Sequence, residues 1–256
     1  MALNPTKKFY DDLSADYHLN FGDWDEAIAN QAKVLDKIIR KYANGAQRTI
    51  LDCACGIGTQ AIGLAQTGYM VTASDLSPIA LKRAADEAEK RNVRINFKAA
   101  DFLQLESEIE GTFDVVICCD NPLPHLLRED ELLLAAKNIF SKIKPGGLFI
   151  TSTRDYDEIL KDKPLSTYPV VADVNGAKTF TFQTWDWQEN NIYNLNHYVV
   201  TGIPNNFSTS LRKASYRAYR RDQIDVVFKQ QGYTSLKWLM PAESKYFQPM
   251  LLGFKP

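Results

Sequence analysis

Residues 49–61 read TILDCACGIGTQA, and the pattern of this stretch is the most informative in the chain about the fold. A short apolar run of strand length leads into two glycines, Gly56 and Gly58, and a helical pattern follows them. Glycines at a strand-to-helix turn let a ligand approach the backbone closely, and the first N–H groups of the helix give the turn a positive end. The stretch therefore predicts a ligand-binding turn between a strand and a helix.

Apolar runs of strand length alternate with helical stretches from this turn onward. They cover residues 49–53, 70–74, 94–99, 113–119 and 148–153. The first four runs start roughly 20 residues apart, which leaves room for a crossover helix between parallel strands. Ser77 before Pro78 marks a helix start, and residues 144–147 (KPGG) read as a turn into the fifth strand. Near-continuous apolar strands predict a parallel sheet covered on both faces.

The segments on either side of this core have different patterns of apolar and polar residues. Residues 24–42 repeat apolar side chains at three- and four-residue steps, which predicts an amphipathic helix leading into the core. Residues 179–187 and 192–201 are rich in aromatic and β-branched side chains and predict an antiparallel hairpin. A third strand over residues 210–219, a helix over 222–231 and a strand pair over 234–239 and 247–254 complete the predicted elements.

Length and composition limit the classes of protein to be considered. The 256 residues fit one large α/β domain. We divide it into a helical lead-in (1–48), a cofactor-binding core (49–155), an antiparallel insertion that could cover the substrate (156–220) and closing elements (221–256). Lys and Arg total 30 against 31 Asp and Glu, so no overall positive field directs the chain to nucleic acid or anionic lipid. Because no apolar stretch approaches the roughly 20 residues of a membrane span, we expect a cytoplasmic protein.

The four cysteines form two close pairs, Cys53 with Cys55 and Cys118 with Cys119. Each pair ends an apolar run, as buried small hydrophobic residues do. The spacing within the pairs is shorter than that of usual zinc ligands, so we predict no metal site.

Three aspartates follow three successive predicted strands: Asp52, Asp75 and Asp101. Carboxyl ends of parallel strands meet at one edge of the sheet, where ligands bind in open α/β folds. Asp75 lies about 20 residues beyond Gly56, where a carboxylate can bind a ribose diol. Asp52 would repel a pyrophosphate but suits an ammonium and a sulfonium, so it favours S-adenosylmethionine over a dinucleotide. Asp101 could accept a hydrogen bond from the adenine amine, and Phe102 could pack on the adenine ring. The structural alternative for each of the three aspartates is to cap a helix.

The order of these motifs over residues 50–153 resembles the core of class I S-adenosylmethionine-dependent methyltransferases. Within that superfamily, residues 116–126 (VICCDNPLPHL), 144–147 (KPGG) and 154–157 (RDYD) are similar to the glycine/sarcosine N-methyltransferase family. The resemblance implies an α/β fold: a Rossmann-like, doubly wound, seven-stranded sheet with an inserted antiparallel hairpin or sheet and N-terminal helices. It also implies S-adenosyl-L-methionine as cofactor, S-adenosyl-L-homocysteine as product and a small-molecule substrate.

The resemblance and the spacing together give a set of candidate site residues. The cofactor-binding candidates are Asp52, Ala54, Gly56, Gly58, Asp75, Leu76, Asp101, Phe102, Cys119, Pro122 and His125, with Tyr17 and Gln31 from the lead-in. The catalytic candidates are Asn121, Arg154 and His125, and the substrate-binding candidates are Tyr10, Asn121, Arg154, Trp185 and Trp187. The resemblance implies that Asn121 and Arg154 hold a substrate carboxylate.

Several of these assignments have a structural alternative. Arg154 could instead form a salt bridge with an acidic neighbour at 155, 157 or 158, and His125 could be an ordinary polar contact. Trp185 and Trp187 share one face of the predicted hairpin, either as a lid offering cation–π contacts or as a face packed on the core. Asn20 stands where the family has a tyrosine, and Ala27 lies where it has a cofactor-binding arginine, so the acceptor stays open.

We therefore expect an enzyme that moves a methyl group from S-adenosylmethionine to the nitrogen of a small, carboxylate-bearing amine similar to glycine or sarcosine. The alternatives are methylation of another small molecule, methylation of RNA, and a non-catalytic cofactor-binding module. Nucleic acid is the less favoured partner because the chain is not basic. Both a monomer and a homo-oligomer stay open.

Overall fold

The computed structural model describes residues 4–43, 49–174, 176–203 and 206–256. The predicted lead-in boundary at residue 48 and the first residues of the chain lie outside this part. The described helices are α1 (Pro5–Leu13), α2 (Trp24–Tyr42), α3 (Thr59–Gln66), α4 (Pro78–Lys90), α5 (Leu105–Glu108), α6 (Glu129–Ser141), α7 (Tyr156–Asp162), α8 (Arg221–Gln230) and α9 (Pro241–Ser244). Among them, none is both long and apolar enough to cross a membrane.

The strands form two sheets. The first contains β1 (Thr49–Asp52), β2 (Met70–Asp75), β3 (Ile95–Ala99), β4 (Phe113–Cys118), β5 (Ile143–Ser152), β10 (Thr234–Leu239) and β11 (Met250–Phe254), and the second contains β6 (Val170–Val174), β7 (Ala177–Trp187), β8 (Ile192–Ile203) and β9 (Asn206–Arg217). These elements confirm the predicted seven-stranded sheet and the predicted antiparallel hairpin.

The seven-stranded sheet has the order β10-β11-β5-β4-β1-β2-β3. Its neighbours from β5 to β3 pair in parallel, β11 is antiparallel to β5, and β10 is antiparallel to β11. Strand β1 pairs with β2 on one side and β4 on the other, so the strand order reverses at β1. A reversal of this kind opens a crevice at the carboxyl ends of the strands. The glycine turn follows β1 directly and therefore lies at that crevice.

Both faces of this sheet are buried, as the continuous apolar strands predict. In β4, Val115 and Ile117 pack in a cluster with side chains of α2 and α3, whereas Val116 and Cys118 pack in a cluster with α6 and α8. All four of these side chains are fully buried. The cysteines are buried as well and form no disulfide. Helices on both faces thus hold β4 fixed and position the residues that follow its end.

The second sheet has the order β6-β7-β8-β9, with every pair antiparallel. Helix α1 packs on it through Phe9 and Leu13, which share a buried cluster with Tyr193 and Tyr216. Strand β6 was not predicted, because the short sequence VVADV has no strict alternation to identify it. The N-terminal helix and the inserted sheet are therefore joined by one core.

The predicted turn at residues 144–147 is wrong as a turn before the fifth strand. Those residues lie inside β5, where Phe113 pairs with Ile143 and Val115 pairs with Leu148. The intervening residues form an irregularity in which Gly146 has a φ of 75°. Gly146 tolerates that conformation because it has no Cβ, so the chain interrupts the strand without leaving it. The predicted helix start at Ser77 is confirmed, since its side chain accepts a hydrogen bond from the Ala80 amide.

Candidate active site

Two cavities lie at the carboxyl edge of the parallel strands. The first, here the glycine-turn cavity, has a volume of about 650 Å³ and is lined by Gly56, Asp75 and Phe102 among others. The second, here the arginine cavity, has a volume of about 730 Å³ and includes Arg154 in its wall. Tyr10, Tyr17 and Asp120 line both cavities and so mark the boundary between them.

Most of the predicted cofactor-binding residues lie in the wall of the glycine-turn cavity. These are Tyr17, Ala54, Gly56, Asp75, Leu76, Asp101, Phe102, Cys119, Pro122 and His125. They come from the ends of four parallel strands and from the N-terminal segment. The structure therefore brings together residues that the sequence separates by more than a hundred positions.

Asp75 shapes the glycine turn. Its carboxylate accepts one hydrogen bond from the Gly56 amide at 2.8 Å and another from the Ser77 amide at 2.9 Å. The side chain that caps α4 is that of Ser77, so capping by itself does not account for Asp75. Burial raises the pKa of Asp75 to about 6, against the hydrogen bonds from Ser77 and Gly56 that lower it. A buried carboxylate with spare acceptor sites faces the cavity here.

Asp52 lies beneath the turn and does not line either cavity. Its side chain is only 1 % exposed, and its Oδ2 atom has no hydrogen-bond partner within the described chain. Burial raises the pKa of Asp52 to about 8, and the negative charge of Asp75 adds to that shift. Two buried acids near one turn favour a positively charged ligand, because a cation would stabilise their ionised forms.

Gly58 serves the turn and does not line a cavity. It is the N-cap residue of α3 with a φ of 92°, in the left-handed region that favours glycine. A Cβ atom there would lie 3.1 Å from Ile62 and 3.2 Å from Ala84. The second glycine of the turn therefore lets α3 pack closely against α4, while Gly56 faces the cavity.

Gln31 lines the arginine cavity and not the glycine-turn cavity. Its Oε1 atom accepts hydrogen bonds from Gln60 and from the Tyr246 hydroxyl, each at 2.8 Å. Because Gln60 lines the glycine-turn cavity, this buried network connects the walls of the two cavities. Asn20 and Ala27, at the positions that depart from the family pattern, also line the arginine cavity.

Arg154 carries a positive charge without a carboxylate partner. Its guanidinium donates to the Tyr193 hydroxyl at 3.0 Å and to Gln183 Oε1 at 2.9 Å, both neutral acceptors. No Asp or Glu oxygen of the described chain lies within 4 Å of it. A guanidinium has five N–H donors, so three remain for other partners.

The alternative of a local salt bridge does not hold for Arg154. Asp155 and Asp157 pair with Arg221 instead, at 2.7 Å and 3.2 Å, and Glu158 pairs with Lys161. The backbone amide of Arg154 donates to Asn121 at 3.1 Å, which fixes the arginine at the end of β5. The acidic neighbours in the sequence are therefore not its partners in the fold.

Asn121 joins the ends of β4 and β5. Its Oδ1 atom accepts from the Thr153 hydroxyl and from the Arg154 amide, and its Nδ2 atom donates to the Tyr156 hydroxyl. The side chain is buried and lines the arginine cavity. Asn121 thus positions Arg154 as well as lying beside it.

His125 is a neutral, half-buried imidazole. Its Nε2 atom forms a 2.8 Å hydrogen bond with the Tyr10 hydroxyl, and its ring lies 4.1 Å from that of Tyr216. Burial lowers the pKa of His125 to about 3, and the charge of Arg154 lowers it further. A histidine held neutral in this way is a weak proton acceptor.

Trp185 and Trp187 line neither cavity. Trp185 is buried, and its ring lies 4.9 Å from the guanidinium carbon of Arg154. Trp187 donates from Nε1 to the Pro164 carbonyl at 3.0 Å. The aromatic face of the hairpin therefore packs on the core and supports Arg154 by a cation–π contact.

Sequence reasoning missed several wall residues, above all Asp120. Tyr17 donates to its Oδ2 atom at 2.9 Å, and Gln248 donates to its Oδ1 atom at 3.3 Å. Asp120 follows β4 directly, the same strand-end signal that identified the other aspartates. Tyr216 and Gln248 carry no such signal, because only the fold brings the distant β9 and the last loop to this site.

Comparison with known proteins agrees with this geometry. The family model described as "Methyltransferase domain" matches residues 50–147. This part of the chain, which holds β1 to β4 and the start of β5, is therefore similar to methyltransferase domains. The fold is shared with solved methyltransferases: the S-adenosylmethionine-bound structure of an amino pentose methyltransferase from Micromonospora echinaspora superposes with a TM-score of 0.75, 18 % identity and coverage of 94 % of this chain and 95 % of that one.

Two curated relatives are similar to a little more than half of this chain. The glycine/sarcosine N-methyltransferase of Parasynechococcus marenigrum is 33 % identical over 155 residues, covering 59 % of this chain and 55 % of that protein. The human glycine N-methyltransferase is 35 % identical over 157 residues, covering 56 % and 52 %. The chain thus spans about half the length of the curated relatives it matches.

Proposed function

We propose that this chain transfers the methyl group of S-adenosylmethionine to the nitrogen of a small amine that carries a carboxylate. The observation that carries the proposal is the position of Arg154. Its charge has no acidic partner in the described chain, and it lies in a cavity that shares a wall with the glycine-turn cavity. An anionic group of the acceptor is the partner that such a guanidinium lacks.

The glycine-turn cavity fits the cofactor by its chemistry. We assign the ribose hydroxyls to Asp75 and the adenine to Asp101 and Phe102, which line the same wall. Asp52 lies below the turn with an unpartnered oxygen and a raised pKa, and a cation bound nearby would favour its ionised form. When bound there, S-adenosylmethionine supplies a methyl group already activated by a sulfonium.

The arginine cavity fits the acceptor. Three unused N–H donors of Arg154 suit a bidentate carboxylate, and Asn121 lies beside it in the same wall. The buried rings of Tyr193 and Trp185 hold the guanidinium in place. Because the donor is already activated, the protein contributes mainly alignment and exclusion of water. The names of the two relatives above support a nitrogen acceptor with a carboxylate.

The test is a methyl-transfer assay with S-adenosylmethionine and a set of acceptors that includes glycine, sarcosine, larger amino acids and their decarboxylated amines. We expect turnover only with acceptors that carry a carboxylate. Arg154→Gln should lower kcat/KM for them by about 100-fold or more, since loss of one member of a desolvated charge pair costs about 2–5 kcal/mol. The same change should leave the Kd for S-adenosylmethionine within about twofold.

Arg91→Gln is the matched control, because Arg91 is also largely buried, pairs with Asp25 and Glu87, and lines neither cavity. Equal losses of cofactor and acceptor binding in Arg154→Gln would contradict a carboxylate site. Binding of S-adenosylmethionine without transfer to any acceptor would support a non-catalytic module instead.

A further inference from the structure

Within the part of the chain that the structure describes, Asp120 is the one acidic side chain that lines both cavities. It follows β4 and stands beside Tyr10 and Tyr17 at the boundary, where a methyl group and an acceptor nitrogen would meet. Asp75 and Asp101 accept hydrogen bonds from backbone N–H groups of the turns beside them. Among the described groups, the Asp120 carboxylate accepts only from the Tyr17 hydroxyl and the Gln248 amide. It does not cap a helix or close a turn.

The backbone at Asp120 is held in an uncommon conformation. Asp120 has a φ of 68° and Asn121 a φ of 67°, two consecutive non-glycine residues in the left-handed region. The Asp120 amide donates to the Ser152 hydroxyl, and the Asn121 amide donates to the Ser152 carbonyl, which keeps this turn in place. Such residues persist where the surrounding structure over-determines them, often at functional sites. The turn aims the Asp120 carboxylate into the space shared by the cavities.

Asp120 has no positively charged side chain at contact distance among the described residues. Within the described residues, no Lys or Arg nitrogen lies within 4 Å of its carboxylate, although the charge of Arg154 acts on it from farther away. Burial raises the pKa of Asp120, against hydrogen bonding from Tyr17 and the charge of Arg154, which lower it. Among the described residues, the wall of the arginine cavity therefore holds a guanidinium, Arg154, and a carboxylate, Asp120, neither of which has an ion-pair partner within 4 Å.

We propose that Asp120 binds the ammonium form of the acceptor and takes its proton before methyl transfer. The inference rests on the proposed function and names its acceptor as a zwitterion, with the carboxylate at Arg154 and the ammonium at Asp120. The N–H bond breaks, its electron pair stays on nitrogen, and the proton moves to a carboxylate oxygen of Asp120. The nitrogen lone pair then forms the N–CH₃ bond as the C–S bond breaks and its electron pair goes to sulfur.

His125 is a poorer candidate for this step. It lines only the glycine-turn cavity, its Nε2 atom is engaged by Tyr10, and its pKa is lowered to about 3 by burial. The hydroxyls of Tyr10 and Tyr17 are also unsuited, because burial raises their pKa values and keeps them protonated. Among the described side chains at the boundary, Asp120 is therefore the best proton acceptor.

The binding test uses the full chain saturated with S-adenosylhomocysteine and three probes: acetate, methylammonium and sarcosine. We expect Asp120→Asn to raise the Kd for methylammonium and for sarcosine by about tenfold or more. The Kd for acetate should stay the same or fall. Arg154→Gln should raise the Kd for acetate and for sarcosine and leave the Kd for methylammonium unchanged. Asn tolerates the left-handed region, so Asp120→Asn should fold normally. Asp157→Asn, outside both cavity walls, is the matched control.

Each outcome separates the two proposals. If methylammonium does not bind the wild type, or binds Asp120→Asn equally well, the role of Asp120 is overturned. If methylammonium binds and depends on Asp120 while acetate does not bind at all, Asp120 stands and the carboxylate acceptor of the proposed function fails. Calorimetry decides between these results even if none of the probes is methylated.

A pH profile then tests the proton transfer itself. With sarcosine as acceptor, Asp120→Asn should lower kcat by about 100-fold or more at pH 7, within the range for loss of a general base. The loss should shrink as the pH rises, because solution then supplies the free amine. A loss that falls on KM and leaves kcat unchanged would show that Asp120 only binds the ammonium, which overturns its role as proton acceptor.

Discussion

The two cavities share a wall but are assembled from the chain in opposite ways. The glycine-turn cavity is built mainly around the ends of successive strands β1 to β4, each separated from the next by one helix, and the N-terminal segment and β9 complete its wall. The arginine cavity combines α1, α2, the end of β5, the inserted sheet and the last loop. Most of the glycine-turn cavity comes from neighbouring strand–helix units of one stretch of chain. The arginine cavity needs segments from the beginning, middle and end of the chain.

The difference explains how one fold can keep its cofactor chemistry and change its acceptor. Carboxylates at strand ends are placed by the sheet itself, so the glycine turn and its acids need no help from the insertion. Arg154 is held by Tyr193, Gln183 and Trp185, all on the inserted sheet. A change to one of these three side chains, none of which lines the glycine-turn cavity, should therefore affect acceptor binding and leave cofactor binding intact.

The largest effect should come from Asp52 in the glycine-turn half. Its pKa is about 8 in the folded chain against an ordinary 3.8, because of burial and the charge of Asp75. Between those values the folded state holds a proton that the unfolded state has lost, so the free energy of unfolding falls as the pH rises from about 4 to 8. The contribution of this group is on the order of 5 kcal/mol.

Urea unfolding of ligand-free wild type and Asp52→Asn across that pH range measures this effect. The variant should lose the part of the slope that Asp52 contributes, leaving the smaller part due to Asp75, whose pKa is raised to about 6. Identical slopes in both proteins would contradict a protonated Asp52. Saturation with S-adenosylmethionine should flatten the wild-type slope, because a nearby cation stabilises the ionised form.

Asp75→Asn should weaken S-adenosylmethionine by roughly tenfold to a hundredfold, since hydrogen bonds to a charged group contribute about 1.5–3 kcal/mol each. Acetate binding to the arginine cavity should not change. Titration calorimetry gives both constants. Asp86→Asn in α4, the helix that follows Asp75 in the chain, is the control, because Asp86 pairs with Lys82 at the surface. An equal loss of acetate binding would mean that the two cavities are not separable.

Tyr193→Phe should have the smallest effect and act on the other half. It removes the hydroxyl that accepts from Arg154 and contacts Tyr156, so kcat/KM for the acceptor should fall about threefold to tenfold. The Kd for S-adenosylmethionine should stay the same. Tyr198→Phe on the same strand is the control, since Tyr198 stacks on Phe182 and is not at Arg154. A change in cofactor binding with acceptor use intact would contradict the division.

The sequence predicted the local half of the molecule well. The strands β1 to β4, the helix start at Ser77 and the cavity positions of Asp75, Asp101 and Phe102 follow from apolar runs and the residues that end them. The roles of these residues toward the cofactor stay predictions. Asp52 and Gly58 show the limit of such reasoning, because a strand-end position does not tell whether a side chain faces the cavity or the core.

The assembled half could not be predicted in the same way. Whether Arg154 pairs with Asp155 depends on Arg221, which lies 66 residues farther along and takes that carboxylate. The orientation of Trp185 depends on which face of the hairpin α1 covers. Asp120 carried the strand-end signal, but its importance depends on Tyr17 and Gln248, which the fold brings from opposite ends of the chain.

The division into two cavities is tested most directly by a crystal structure of the full chain with S-adenosylhomocysteine. We predict the ribose at Asp75, the adenine against Phe102 beside Asp101, and the sulfur directed toward Tyr17 and Asp120, with the arginine cavity free of cofactor. Density for the nucleoside in the arginine cavity, or none in the glycine-turn cavity, would contradict the account.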